Sequence, residues 1–196
     1  MTDQIKALLS EGYSFLKKSE FDSAIKVFKM ANNLEPTVDG HSGLASCYLA
    51  IANSKHDIEL AETQFKAALH IDEQNVPAIL NLISLYEMQG RLDDAIEMCK
   101  RGLSCSERVG DIYSAYGSIL IKLGDLDLAM SMLQKAIVSD GLTVSCMTHF
   151  YIGQIEERTG DWFSALRDYK IALDLAPPIF SIPIKEQFYR MTALLN

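Results

Sequence analysis

The side chains with which this 196-residue chain could do acid–base, nucleophilic or metal chemistry are few. They are four histidines (His41, His56, His70, His149), four cysteines (Cys47, Cys99, Cys105, Cys146) and the acidic doublets Asp93-Asp94 and Glu156-Glu157. Zinc sites need cysteines or histidines in close pairs, or two histidines one helical turn apart around a glutamate. No CxxC pair and no HExxH occurs, and no cysteine stands at finger spacing from a histidine. Phosphate-cradling GxGxxG and GxxxxGK[ST] loops and the GxSxG nucleophile elbow are also missing. No nucleophile and base have a reason in the sequence to be adjacent, and the acidic doublets read as solvated helix faces. The expectation is therefore no catalytic residue, no metal and no cofactor.

Composition narrows the partners. Hydrophobic residues make up 48% and charged residues 22%, which suits a globular chain and excludes wholesale disorder. Eighteen Lys+Arg face 26 Asp+Glu, a net charge of −8. Phosphate neutralisation and adhesion to anionic lipid both need a basic stripe, so neither nucleic acid nor a membrane surface is the expected partner. No run of 18 apolar residues occurs, so no membrane insertion is expected. The opening MTDQIKALLSEG lacks the basic and apolar regions of a secretory leader. Four cysteines in a chain of this length read as reduced thiols, which predicts a cytoplasmic location.

The elements that position these residues come from a repeat. An alanine is followed four residues later by a larger residue at Ala24/Phe28, Ala61/Phe65, Ala95/Cys99, Ala129/Leu133 and Ala165/Tyr169, and a small residue follows three places on at Ala31, Ala68, Gly102, Ala136 and Ala172. Upstream of each lies a second helical pattern, marked by Glu11-Gly12, Leu44-Ala45, Leu82-Ile83, Tyr116-Gly117 and Ile152-Gly153. Between the two patterns, Gly90, Gly124 and Gly160 can end a helix in the left-handed conformation, and Asp125 and Asp161 can cap the next. Small residues let two helices approach, and the large residue opposite fills the gap between them. One helix pair cannot bury its apolar face alone, so neighbouring pairs must stack.

The pattern resembles the tetratricopeptide repeat, a helix–turn–helix unit of 34 residues. The resemblance covers nearly the whole chain, as one array of repeats at about 5–37, 38–75, 76–109, 110–143 and 146–179. It implies an all-α, right-handed superhelical solenoid. The stretch from Ser181 to Asn196 supplies a C-terminal capping helix at about 182–195, with Ser181 as its cap, Pro183 in its first turn, and Ile184, Phe188, Met191 and Leu195 on one stripe. An alternative use of that helix is docking or dimerisation.

Several places depart from the family pattern. The second repeat carries about four extra residues in IANSKHDIE, which predicts a longer helix junction there. Pro36 and Pro177 hold the repeat-end proline, whereas Glu73, Glu107 and Gly141 stand elsewhere. The usual first-helix tryptophan is replaced by Leu8, His41, Ile79, Tyr113 and His149, so His41 and His149 read as packing or interface residues. His56 falls in the insertion and reads as solvated. Cys99 takes the large apolar place of a second helix and reads as a small hydrophobe. Cys47 and Cys105 are expected partly buried, and Cys146, near a loop, more exposed.

The resemblance also implies a concave groove lined by first helices. Its ends would carry Tyr13 on one side and Phe150, Tyr151 and Gln154 on the other. Its middle would carry Ser46, Asn81, Ser84, Ser114 and Ser118. Small hydroxyls leave room for a partner's backbone, and aromatics anchor apolar side chains; the same serines could simply permit tight curvature. The chaperone-binding members hold a terminal carboxylate with lysine, asparagine and arginine from three successive repeats. Only Asn81 matches that clamp, and Asp111 stands where a basic residue is wanted. Acidity gathers in residues 39–75, with six acids against two bases. It serves either solubility or the steering of a basic partner. The resulting expectation is a non-catalytic scaffold or adaptor that binds a protein segment in the groove. The alternative is a self-assembling homo-oligomeric scaffold of the bacterial organelle type, such as the magnetosome-associated member of the family.

Overall fold

A computed structural model describes residues 1–105, 109–140, 145–178 and 180–195. Among these residues there are eleven α-helices and no strand. The chain forms two compact units, Met1–Gly90 and Arg91–Asn196. The first holds α1 (Asp3–Lys17), α2 (Phe21–Leu34), α3 (Val38–Ala50), α4 (Lys55–Ile71) and α5 (Val76–Met88). The second holds α6 (Leu92–Cys105), α7 (Gly110–Leu123), α8 (Leu126–Asp140), α9 (Cys146–Thr159), α10 (Trp162–Leu175) and α11 (Ser181–Leu195). Within each unit, consecutive helices pack on one another, α1 also reaches α3, and α7 also reaches α9.

The turn chemistry read from the sequence operates as expected. Gly90, Gly124 and Gly160 take φ of 71°, 85° and 87°, a region that side chains with a Cβ rarely adopt. Asp125 and Asp161 then accept from the amides of Leu128 and Ser164, both at 3.2 Å. The first pair has no glycine at this place; Ser19 takes the left-handed conformation there, at φ 61°. Thr2, Thr37 and Asn75 cap α1, α3 and α5.

All fifteen members of the repeated small–large–small pattern are buried. Phe28, Leu133 and Tyr169 press against first-helix glycines: a Cβ added to Gly12, Gly117 or Gly153 would come within 2.8 Å of the ring or side chain opposite. At α8, the Ala129 carbonyl would lie 3.4 Å from a Cβ on Gly117. Ala129→Leu therefore has no free volume to enter and should destabilise by about 1–3 kcal/mol through overpacking. A urea midpoint within error of the parent would mean that Ala129 does not face α7.

Some local expectations are corrected. The α3–α4 junction, residues 51–54, is only one or two residues longer than the others. The rest of the insertion lengthens α4 to 17 residues, against 14 for α2, α6 and α10. The cause is a capping box at Ser54, whose hydroxyl accepts from the Asp57 amide while the Asp57 carboxylate accepts from the Ser54 amide. Cys47 and Cys146 are buried, not partly or more exposed, because both face the helix packing. Ser181 is the first residue of α11 and not its cap; its hydroxyl donates to the Pro178 carbonyl at 2.9 Å. Glu107 and Gly141 lie outside the described residues.

Candidate protein-binding surface

The first unit carries four of the sequence-predicted groove residues. Asn81 and Ser84 are one helical turn apart on α5, and both are exposed. Ser46 is half-buried and donates to the Ser42 carbonyl at 2.9 Å, so its hydroxyl is spent within α3. Tyr13 is not a free anchor. Its ring meets Phe28 edge-on at 5.1 Å, and its hydroxyl donates to the Asp39 carbonyl at 3.1 Å. Burial, helped by the charge of Asp39, pushes the Tyr13 phenol up to about 12.

In the second unit the five predicted residues separate. Ser114, Ser118 and Phe150 are buried, at 5%, 6% and 8% exposure, so they do not line an open surface as expected. Ser114 accepts from the Thr148 hydroxyl at 3.1 Å across the α7–α9 contact. Ser118 donates to the Ala115 carbonyl at 2.9 Å. Phe150 packs on Tyr169 with centroids 5.7 Å apart. Tyr151 and Gln154 remain half-buried with solvent access. Gln154 lines a pocket of about 200 Å³ together with Glu157, Arg158, Tyr169, Gln187 and Arg190. Glu157 orders its floor, accepting from the Tyr169 hydroxyl at 2.9 Å and from Arg190 of α11. Arg158 donates to the Ile121 carbonyl at 2.9 Å, which ties α9 to α7.

Glu156-Glu157 is thus not a solvated doublet: both side chains are turned inward. Beside Glu156 lies a charged cluster that the sequence reading missed. His149 Nδ1 lies 2.8 Å from Asp168 Oδ1, and Arg167 donates to Asp168 Oδ2 at 2.8 Å and reaches Glu156 at 3.5 Å. The signal was in the repeat register. Asp168 precedes the large residue of its second helix, a place held elsewhere by Val27, Gln64, Met98 and Met132. Where the first-helix tryptophan place is histidine, that second-helix place is polar: His41 meets Gln64 at 2.8 Å, as His149 meets Asp168.

The acidic second repeat is largely used within its own unit. Asp57 serves the α4 capping box, Glu62 accepts from Lys66 at 2.7 Å and from Tyr86 at 3.2 Å, and Asp72 accepts from the Gln74 amide at 3.1 Å. Among the described residues, no helix is long and apolar enough to cross a membrane.

Comparison with known proteins agrees with this architecture. Two tetratricopeptide-repeat profiles match, one over residues 52–107 and one over residues 110–139. The Protein STIP1 homolog of Dictyostelium discoideum is 27% identical over 96 residues, 45% of this chain and 17% of that protein. The thermophilic TPR protein TTC0263 of Thermus thermophilus superposes with a TM-score of 0.72 at 17% identity, covering 96% of this chain and 99% of that one. MamA superposes with a TM-score of 0.64 at 23% identity, covering 83% and 92%. At these identities the structural likenesses speak for the fold. The chain spans about a third or less of the length of the curated relatives it matches. Stacked helix pairs with interlocking small and large residues define an all-α repeat solenoid of the protein-interaction class. The chain belongs to the tetratricopeptide-repeat family.

Proposed function

We propose that the chain is a non-catalytic scaffold that binds a protein segment on the exposed faces of its first helices. The observation that carries this reading is the α9 surface. Tyr151 and Gln154, one turn apart, stand half-open beside a pocket of about 200 Å³ that has a polar, ordered floor. An aromatic beside a structured polar pocket is the combination that anchors a partner side chain and fixes its register. On α5, Asn81 and Ser84 present an exposed amide and hydroxyl that can pair with a partner's backbone. Net charge −8 supports a protein partner over nucleic acid, and four free cysteines suit a reducing compartment such as the cytoplasm.

Panning a random peptide library on the purified chain supplies a ligand for the test. Tyr151→Ala should then weaken binding by about 1–3 kcal/mol. Asn81→Ala should cost a similar ~1–3 kcal/mol if it leaves a buried partner group unpaired. Glu59→Lys, on the exposed face of α4, should matter much less. If Glu59→Lys abolishes binding while the other two leave it intact, the site lies on the acidic repeat instead.

One observation favours a second reading, self-assembly. Phe180, Ile182, Tyr189 and Leu194, at and along α11, are exposed apolar residues, and such patches mark association surfaces. Light scattering across a concentration series separates the two readings: a growing mass favours assembly, a constant monomer mass the adaptor.

A further inference from the structure

We propose that Glu156 and Asp168 share a single proton across the α9–α10 contact, giving the second unit a proton-operated clasp. The placement of the two carboxyl groups carries the argument. Asp168 is 4% exposed, and the Glu156 side chain only 14%. One Arg167 nitrogen contacts both, at 2.8 Å and 3.5 Å, so the carboxyl groups are neighbours. Glu156 Oε2 is buried and has no hydrogen-bond partner. An ionised carboxylate oxygen in that position is unfavourable because burial strips its water and supplies no donor. A protonated Glu156 removes the problem, since its O–H can donate to the adjacent carboxylate.

The surroundings decide which group keeps the proton. Asp168 accepts from His149 Nδ1 on one oxygen and from Arg167 on the other. Burial opposes its charge, but these two hydrogen bonds outweigh burial and hold its carboxyl below the usual range. Glu156 has the longer contact to Arg167 and, beside it, the Asp168 carboxylate, an interaction that favours its protonated form. Burial first, then the charge of Asp168, pushes its carboxyl up to about 7, against the opposing pull of Arg167 and with a further push from Asp161 at the α10 cap. The other neighbours of α9 offer contacts of a different kind. From α7 come the Ser114 hydroxyl, which meets Thr148, and the Ile121 carbonyl, which meets Arg158; α8 contributes the apolar Ala129, Met132 and Leu133. From α11, Arg190 engages Glu157.

The sign follows from linkage. A carboxyl whose folded pKa is raised gives its full stabilisation below its unfolded value, 4.5, and loses it as pH rises through about 7. Above that range two adjacent negative charges face each other across α9 and α10, and the helix that carries Tyr151 and Gln154 is held less firmly. This inference concerns the clasp alone and stands whether or not those residues bind a partner.

Side-chain carboxyl ¹³C NMR tests it on the unaltered protein. One glutamate should titrate with a midpoint near 7, and that signal should vanish in Glu156→Gln. Glu156→Gln should also raise the thermal midpoint by about 3 °C or more at pH 8 and leave it nearly unchanged at pH 4, below the unfolded value. Asp168→Asn should move the Glu156 midpoint down, toward the ordinary carboxylate range. Titration of every glutamate below about pH 5.5, or a Glu156→Gln effect equal at pH 4 and pH 8, overturns the proposal.

Discussion

Phe28→Ala should cost about 3–5 kcal/mol, at the upper end for an aromatic core truncation. The ring has no solvent exposure. It sits between two glycines of different helices: a Cβ on Gly12 of α1 would come within 2.7 Å of it, and a Cβ on Gly43 of α3 within 2.4 Å. Tyr13 closes a third side edge-on at 5.1 Å. One side chain of α2 therefore joins three helices. The cost of a core truncation depends on how far the surroundings can collapse into the space left behind. Here two of the walls are bare backbone with no side chain to swing inward, so collapse requires whole helices to move. Urea unfolding of Phe28→Ala should show the loss, while Met30→Ala, whose side chain is half-exposed on the same helix, stays within about 0.5 kcal/mol of the parent. The glycine supplies a sharper check. Gly43→Ala should destabilise the parent by about 1–3 kcal/mol through overpacking, yet recover part of the loss in the Phe28→Ala background by filling the cavity. Independent, additive effects of the two substitutions would show that the ring and the glycine do not meet.

This interlock was legible in the sequence because it rests on size and spacing. The small–large–small triplets recur at 34 to 37 residues, and that period fixes which faces meet whatever the detailed side-chain geometry. The turn glycines were legible for the same reason, since a left-handed residue between two helical patterns has few alternatives to glycine. Surface roles were harder to read. Ser114, Ser118 and Phe150 sit at places that line a groove in the family's general pattern, but burial depends on how closely α7 and α9 approach. That approach is marked by the Thr148–Ser114 hydrogen bond across it, which the residue types alone do not announce. Polar pairing was harder still: Asp168 looks like a surface acid until it is lined up with Val27, Gln64, Met98 and Met132, and only then does its place read as an inward one that needs a partner.

Removing residues 180–196 should destabilise the second unit and make it associate. The stripe read from the sequence does face inward. Ile184 and Met191 are fully buried against Cys146, Phe150, Ala165, Tyr169 and Ala172, and Phe188 packs beside them. Full burial of such a side chain is worth about 1.5–3 kcal/mol each. The two therefore supply the main hold of α11, and the partly exposed Arg190–Glu157 pair adds less. The residues uncovered would be Tyr169 and Ala172 with their neighbours; Phe163, 79% exposed with α11 in place, is not among those it shields. A truncated chain presents this apolar face to water, and contiguous apolar surface of that kind drives association. Ile184→Ala keeps the helix and removes only the anchor, so it separates packing from chain length, with an expected loss of about 2–5 kcal/mol. Tyr189→Ala, on the exposed side of α11, should leave stability within about 0.5 kcal/mol. If the truncated chain stays monomeric with an unchanged urea midpoint, α11 is not a structural cover. Its buried stripe would then be held only weakly and be available to dock elsewhere, and the self-assembly reading would gain what the cap reading loses.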